Sequence, residues 1–243
     1  MEVKMINTLN DFISEFQKIR DLGWIKTHRQ GSTGIGKTLE DLLGIPENNI
    51  GEPDFGDYEL KSVRTNAKSM LTIFTKSPEP KRSNEVLRRK YGYESSKIYG
   101  NDKKVLHSTL SADKFISVHS VNRLKIHCSD DRISIESQDG IELIYWLKST
   151  LQDCFNRKYR GKFTYTYADT KGRGASEHFR FVSAFVVSGF SYDDFAALLE
   201  LGKIKVDLRI GQYPDGRTHD HGTGFRISKR DEVLLFKYRE KIV

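Results

Sequence analysis

The spacing of apolar residues changes period several times along the chain, and this limits the fold class more than any other feature. Within residues 8–22, Leu9, Phe12, Phe16 and Ile19 share one helical face, with Thr8 as a start signal and Gly23 as a stop signal. Further helices are predicted at 39–43, 83–90, 147–157 and 191–201. Strands are predicted at 56–63, 69–76, 132–137 and 141–147, and in the tail segments KIKVDLRIG, GTGFRIS and EVLLFKY. This alternation, without a repeat, predicts a mixed α/β fold.

The length of 243 residues is compatible with one large domain or two lobes. We expect a single compact unit over residues 1–243, with approximate lobes at 1–150 and 151–243. The turn-rich stretch 78–104 is the best candidate for the crossing between lobes. No apolar run approaches the length of a membrane span, and the start MEVKMINTLNDF has no apolar core of a signal peptide. With only two cysteines, Cys128 and Cys154, the chain is expected to be cytoplasmic and to have no membrane partner.

Charge is distributed unevenly, although the totals of 40 basic and 33 acidic side chains are close. Residues 1–60 contain 6 Lys/Arg and 11 Asp/Glu, whereas residues 61–104 contain 12 and 4. Residues 155–180 contain 7 against 2, and residues 201–243 contain 10 against 6. Such an excess is often only a solvated surface. Basic segments beside an acidic one also fit a polyanion-binding protein with a carboxylate metal site.

Residues Gly31 to Thr38 match the phosphate-binding pattern G-x-x-x-x-G-K-[ST]. In a nucleotide hydrolase, Lys37 and Thr38 would contact phosphate and Mg²⁺. That function requires a buried strand before the loop and a full helix after it. The preceding residues GWIKTHRQ are polar, and the following helix is short. The context favours a glycine-rich turn at the start of a helix, and a P-loop nucleotide-binding protein remains an alternative.

The segment Pro53-Asp54-Phe55-Gly56-Asp57-Tyr58-Glu59-Leu60-Lys61 contains the strongest chemical pattern. In a strand, Glu59 and Lys61 project from the same face, and the bend permitted by Gly56 brings Asp54 toward them. Asp54, Glu59 and the Leu60 carbonyl offer the oxygen ligands that Mg²⁺ prefers. Lys61 would orient or help deprotonate the attacking water, which suits phosphodiester hydrolysis.

Glu40, on the short helix of LEDLLG, is a candidate third acidic member of this catalytic group. The simpler interpretation of the Glu-x-Lys pattern is an exposed strand with an ordinary ion pair. The flanking basic segments and the upstream Glu40 favour the nuclease.

Three blocks, GSTGIGKTLEDLLG, EPDFGDYELKS and AKSMLTIFTKSP, together with the C-terminal run KVDLRIGQYPDGRTHDHGTGFRI, resemble the MvaI/BcnI family of monomeric type II restriction endonucleases, which are related to the repair nicking enzyme MutH. The C-terminal run resembles MvaI more than BcnI. The blocks occur in order and bracket nearly the whole chain.

The resemblance implies a PD-(D/E)XK nuclease core, MutH-like, with catalytic and DNA-recognition lobes that form a cleft. It implies Mg²⁺-dependent cleavage of double-stranded DNA by a monomer, within a short pseudopalindrome such as CC(A/T)GG, and a cognate DNA methyltransferase as functional partner. It places Asp54, Glu59 and Lys61 at the catalytic positions, with Glu40 as a secondary member.

The C-terminal block carries the candidate DNA-binding residues. Asp207 and Arg209 share one strand face, where Arg can bind guanine and Asp can accept a hydrogen bond from cytosine. By resemblance, the other DNA-contacting positions are Tyr213, Arg217, His219, Asp220, His221 and Arg226, with Arg226 a candidate for the central base pair. Contacts to the DNA phosphate backbone are expected from Lys68, Lys76, Lys81, Arg82, Arg88, Arg89 and Lys90.

The sequence also allows simpler interpretations of these residues. Asp207 and Arg209 could form an ion-pair ladder, and His219 with His221 could bind zinc or lie in a loop without a role. A MutH-like nicking nuclease and a catalytically inactive DNA-binding module are the other alternative functions.

Overall fold

The computed structural model describes residues 6–46, 53–67, 69–95, 103–119, 122–159 and 161–243. The helices are α1 (Leu9–Asp21), α2 (Gly34–Leu43), α3 (Ser83–Tyr91), α4 (Lys148–Lys158) and α5 (Tyr192–Glu200). The strands are β1 (Ile25–Lys26), β2 (Tyr58–Arg64), β3 (Leu71–Thr75), β4 (Tyr93–Glu94), β5 (Lys104–Leu110), β6 (Ile116–Val118), β7 (Asn122–Cys128), β8 (Arg132–Ser137), β9 (Gly140–Leu147), β10 (Lys162–Lys171), β11 (His178–Ser188), β12 (Ile204–Gln212), β13 (Thr218–Asp220), β14 (Gly224–Ile227) and β15 (Tyr238–Lys241). Short 3₁₀ segments cover Gly174–Ser176 and Lys229–Leu234.

Two compact units, interleaved in sequence, make up the fold. The first contains residues 1–68, 158–190 and 236–243, and the second contains residues 69–157 and 191–235. The chain therefore changes unit several times, whereas one approximate boundary near residue 150 was expected from the sequence. The stretch 78–104, expected to cross between lobes, lies wholly inside the second unit. Across the described ranges, no helix combines the length and apolar character needed to cross a membrane.

The first unit is built on a sheet with strand order β1-β11-β10-β2, and β15 also pairs with β11. The β10–β2 pair is parallel and the others are antiparallel. Helices α1 and α2 cover one face of this sheet, where Phe12, Phe16, Leu39, Leu60 and other buried residues form the core. Thr8 caps α1 by accepting a hydrogen bond from the Asp11 amide, as its sequence predicted.

The second unit contains two sheets. The larger has the order β3-β14-β12-β5-β4, with β13 paired to β12, and the smaller has the order β6-β7-β8-β9. Phe74, Phe155, Phe195 and Phe225 form an aromatic core with ring centroids 4.9–6.5 Å apart. Trp146 is fully buried and donates a hydrogen bond from Nε1 to the Lys76 carbonyl, at 2.9 Å. β12 is therefore a central strand, with β14 on one side and β5 on the other.

The mixed α/β prediction is confirmed, and most predicted helices and strands are present within a few residues. The prediction of a strand at EVLLFKY is wrong for most of that segment, because Lys229–Leu234 forms a 3₁₀ helix. Ser228 caps it by accepting a hydrogen bond from the Asp231 amide, and Glu232 is buried within it. The final strand, β15, begins only at Tyr238. The local cap outweighs the β propensity of the apolar run.

Candidate active site

The candidate catalytic residues lie in a tight hairpin-like entry to β2. Phe55 and Tyr58 exchange backbone hydrogen bonds of 3.2 and 2.8 Å, which closes a turn over Gly56 and Asp57. Gly56 has a φ of 49°, and a Cβ there would lie 2.9 Å from the Asn7 carbonyl oxygen, so the turn favours glycine. This turn folds Asp54 back onto β2, where its Oδ2 accepts a hydrogen bond of 2.6 Å from the Leu60 amide.

Within the described part of the chain, β2 pairs on one side only, with β10, and this explains how Asp54 can reach it. The Thr65 amide and the Asp57 carbonyl bond to the β10 side, so the odd-numbered peptide groups of this segment face β10. The amide and carbonyl of one strand residue point to the same side. The Leu60 carbonyl therefore lies on the free edge together with its amide and the Asp54 carboxylate. Asp54 and the Leu60 carbonyl are thus on the same side of β2.

Glu59 and Lys61 lie on one face of β2, and Leu60 points to the other. Leu60 is buried in the core under α1 and α2. The Lys61 ammonium donates a hydrogen bond to Glu59 Oε1, and both side chains remain about one-third exposed. This face of the strand therefore presents one carboxylate and one ammonium group that solvent or a substrate can reach.

The electrostatics of Asp54 fit a cation-binding carboxylate. Burial raises its pKa, and the negative charge of Glu59 adds to this, while the hydrogen bond from Leu60 and the charge of Lys61 oppose it. A divalent cation would relieve this unfavourable accumulation of negative charge. The donors Asp54, Glu59 and the Leu60 carbonyl are hard oxygens, so they fit Mg²⁺ chemically. Among the residues that the structure describes, no cluster of three or more His, Cys, Asp or Glu side chains is arranged to hold a metal.

Glu40 lies partly buried on α2, the helix that packs against β2. A Cβ added to Gly36 would lie 3.6 Å from Glu40 Oε1, so the carboxylate is directed back along the helix toward its amino-terminal end. Glu40 is thus on a neighbouring element of the same unit, and its membership of the catalytic group remains a proposal.

The Gly31–Thr38 segment uses its polar groups internally. α2 begins at Gly34, so most of the apparent phosphate loop is helix, and the preceding β1 has only two residues. Thr38 is fully buried, and its hydroxyl donates to the Gly34 carbonyl at 2.7 Å and accepts from the His28 amide at 3.0 Å. Lys37 forms an ion pair of 2.7 Å with Asp41. The threonine that would bind Mg²⁺ in a P-loop is therefore occupied, and this context argues against a nucleotide site.

In the second unit, Asp207 is the centre of a buried charge cluster. Its side chain is 1% exposed, and Oδ1 accepts a hydrogen bond of 2.8 Å from the Thr109 hydroxyl. Oδ2 accepts from Arg209 Nε at 2.7 Å, and Arg226 Nε forms an ion pair with the same oxygen at 2.9 Å. Asp207 was expected to contact a cytosine directly. The buried carboxylate instead holds Arg209 and Arg226 in position.

The arginines bound to Asp207 retain accessible surface. The Arg209 side chain is 41% exposed, and its backbone amide donates to the Thr223 hydroxyl at 3.2 Å. Arg226 also donates to the Gly222 carbonyl at 3.2 Å. The ion-pair ladder considered for Asp207 and Arg209 therefore exists, with Arg226 as a third member. Asp207 thus holds both arginines through Nε, and Arg209 is the more exposed of the two, at 41% against 21% for Arg226.

Four more of the predicted DNA-contacting residues contact one another on β13 and beside it. They are Tyr213, Arg217, His219 and His221. The rings of Tyr213 and His219 lie 4.4 Å apart, and His219 and His221 lie 4.1 Å apart. Arg217 lies over Tyr213 at 5.4 Å and forms an ion pair of 2.7 Å with Asp215. His219 and His221 thus contact each other edge to face, as members of a ring cluster. Partial burial and the neighbouring His219 lower the pKa of His221.

Asp220 has a structural role in the loop after β13. Its carboxylate accepts hydrogen bonds from Ser77 and Asn84, and from the backbone amides of Gly222 and Thr223, at 2.7–3.0 Å. Although burial opposes it, these bonds lower the Asp220 pKa. With its acceptors used in this way, Asp220 orders the loop that leads to β14.

Of the basic residues expected to contact the DNA backbone, Arg88 is 6% exposed. It donates hydrogen bonds to the Gln212 and Thr218 side chains and to the Gly216 carbonyl, so it fixes the loop between β12 and β13. That expectation is wrong for Arg88, because its guanidinium group faces protein. Arg82 and Arg89 pair with Glu85, and Lys90 pairs with Glu142. Lys81 lines a cavity beside this loop, and Lys76 lines a cavity beside the segment between β13 and β14. Lys68 lies outside the described residues.

Sequence reasoning did not identify several supporting residues, because their partners are far apart in the chain. Thr109 reaches Asp207 only through the β5–β12 pairing, which places the two residues opposite each other. Arg64 binds Glu177 through two hydrogen bonds and also donates to the Gly31 and Ser32 carbonyls, so it holds the segment before α2. No local motif marks either contact.

The fold is of the PD-(D/E)XK nuclease type, as its similarity to solved restriction endonuclease structures shows. Two solved structures of restriction endonuclease MvaI are similar to this chain at 35% sequence identity. For MvaI in complex with a cognate DNA substrate, the TM-score is 0.80, and the match covers 99% of this chain and 100% of that chain. For MvaI in the absence of DNA, the TM-score is 0.59, and 99% of each chain is covered. Among curated proteins, none matches this chain.

The model of the MvaI/BcnI restriction endonuclease family matches residues 13–236. The chain belongs to this family. This confirms the family resemblance inferred from the sequence, and the chain is a type II site-specific deoxyribonuclease.

Proposed function

We propose that this protein is a Mg²⁺-dependent endonuclease that cuts both strands of double-stranded DNA within a short CC(A/T)GG-like pseudopalindrome. The observation that carries the proposal is the open edge of β2, where Asp54, Glu59, Lys61 and the Leu60 carbonyl converge. The 35% identity to MvaI, whose structure is known with its cognate DNA, supports double-stranded DNA as the substrate.

Asp54, Glu59 and the Leu60 carbonyl would hold the metal ion. When bound, Mg²⁺ supplies positive charge that stabilises the phosphate during hydrolysis and lowers the pKa of coordinated water. Lys61 is held in place by Glu59 and orients the attacking water beside the phosphate. Glu40 polarises a water from α2. These residues are the proposed catalytic group.

The second unit supplies the proposed DNA-recognition surface, and the first unit supplies the proposed catalytic lobe. Arg209 and Arg226 are the proposed base-contacting residues, because each has a fixed Nε and an accessible remainder. Tyr213, Arg217, His219 and His221 form a second contact region beside them. Asp207 and Asp220 act on DNA only through the residues that they position.

In the proposed biological setting, the enzyme is a cytoplasmic monomer that cuts the two strands in successive binding events. A methyltransferase of the same restriction system would protect the host's own sites.

Digestion of unmethylated plasmid DNA tests the proposal. With Mg²⁺, we expect discrete linear fragments whose sequenced ends give the site and the cut position, and with EDTA we expect intact DNA. Nicked circles that never become linear would favour the MutH-like nicking nuclease. Intact DNA with Mg²⁺ at all salt concentrations would overturn the proposal.

A further inference from the structure

The end of α4 brings Lys158 to the sheet face that carries Glu59 and Lys61. In the parallel pair of β2 and β10, Glu59 lies opposite Phe163, and side chains of paired residues project from the same face. The ring of Tyr159 lies 5.0 Å from Phe163 and 5.2 Å from Phe190. These contacts fix the backbone at residue 159 on that face, and Lys158 is the adjacent residue.

The Lys158 ammonium group is available for a ligand. It forms neither a hydrogen bond nor an ion pair with any residue that the structure describes, and its side chain is exposed. Although the residue is exposed, desolvation by nearby protein atoms lowers the pKa of Lys158, and the positive charge of Lys61 adds to this while Glu59 opposes it. Lys158 therefore lies within electrostatic range of both Glu59 and Lys61. Lys61, by contrast, is already bound to Glu59.

We propose that Lys158 is a further catalytic residue whose ammonium group contacts the phosphate that is cut. The inference rests on the proposed function. As the water oxygen bonds to phosphorus and the bridging P–O bond breaks, negative charge increases on the phosphate oxygens, and Lys158 stabilises this charge while it keeps its own proton. Lys61 then acts on the attacking water, and Lys158 acts on the phosphate.

Single-turnover cleavage and DNA binding by Lys158→Ala test this role. Arg157→Ala is the matched control, because it removes one positive charge from the preceding residue, where Arg157 donates to Asp153 and Cys154 of its own helix. We expect Lys158→Ala to slow cleavage by about 10²-fold or more, while specific binding changes only slightly. Arg157→Ala should leave both nearly unchanged. Lys158→Gln, which keeps most of the side-chain volume, should behave like Lys158→Ala.

A binding experiment without metal locates the contact. DNA with an uncharged methylphosphonate at the cut position should bind wild-type protein and Arg157→Ala about fivefold less tightly than normal DNA, and should bind Lys158→Ala with no such loss. Equal losses in all three proteins, or wild-type cleavage by Lys158→Ala, would overturn the role of Lys158. Failure of the wild-type protein to cut any DNA would instead overturn the proposed function.

Discussion

Two strands of this protein carry almost the same three-residue pattern of acid, leucine and base, and their surroundings make them different sites. On β2 the residues are Glu59 and Lys61, and on β12 they are Asp207 and Arg209. Glu59 and Lys61 pair with each other and remain about one-third exposed. Asp207 is 1% exposed and has two additional partners.

Strand position accounts for the difference. Among the strands that the structure describes, β2 is the last in its sheet, so its other side is available to Asp54 and leaves the Leu60 carbonyl accessible. β12 is flanked on both sides, and each neighbour contributes a partner to Asp207, Thr109 from β5 and Arg226 from β14. An acid–base pair at an edge can therefore bind a metal and a substrate, whereas the same pair in a sheet centre becomes a support for exposed arginines.

Replacement of Glu59 by Ala should give the largest effect if the edge pair is catalytic. We expect the cleavage rate to fall by about 10³-fold or more, because a group that acts on the transition state is lost, while specific DNA binding in Ca²⁺ or EDTA is retained. Single-turnover cleavage and a binding titration measure the two quantities. Loss of both, together with a lower melting temperature, would show that Glu59 is structural like Asp207.

Replacement of Asp207 by Ala should affect stability as well as recognition. Removing the buried carboxylate leaves Arg226, Arg209 and Thr109 without their shared partner, so we expect a loss of about 3 kcal/mol in the free energy of unfolding. Asp207→Asn keeps an acceptor and should lose less. Urea unfolding of both variants measures this difference. If Asp207→Ala loses specific binding but unfolds like the wild type, Asp207 contacts the base directly.

Replacement of Arg209 by Ala removes a proposed base contact without emptying the buried cluster. Because one bidentate contact to guanine contributes about 1–3 kcal/mol, specific binding should weaken by roughly 5- to 150-fold, and binding to unrelated DNA should barely change. Arg217→Ala provides a comparison on an exposed arginine. An unchanged set of cleaved sites and an unchanged rate in Arg209→Ala would show that Arg209 does not recognise a base.

The sequence was sufficient to predict those parts of each site whose residues are close together in the chain. Asp54, Glu59 and Lys61 lie within eight residues, and a strand with a preceding turn is enough to bring them together. The burial of Asp207 was not predictable, because it depends on Thr109, about one hundred residues earlier, through strand pairing. The structural role of Arg88 depends in the same way on Gln212 and Thr218. A pattern of residue types shows which charges are adjacent but not which neighbours a strand will acquire.

The smallest expected effect is on the melting temperature, which should rise when Asp54 is replaced by Asn and fall when Asp207 is replaced by Asn. Burial raises the pKa of Asp54, so the folded protein binds a proton there more readily than the unfolded chain, and the ionised carboxylate opposes folding at neutral pH. Asp54→Asn keeps an oxygen for the Leu60 amide and should therefore raise the melting temperature at pH 7 in EDTA. This gain should shrink as the pH falls toward the ordinary Asp pKa of 3.8, since Asp54 itself then becomes protonated. Asp207→Asn should lower the melting temperature at pH 7. A destabilised Asp54→Asn at neutral pH would show that Asp54 is a stabilising partner of Lys61 and not a carboxylate kept ready for a cation.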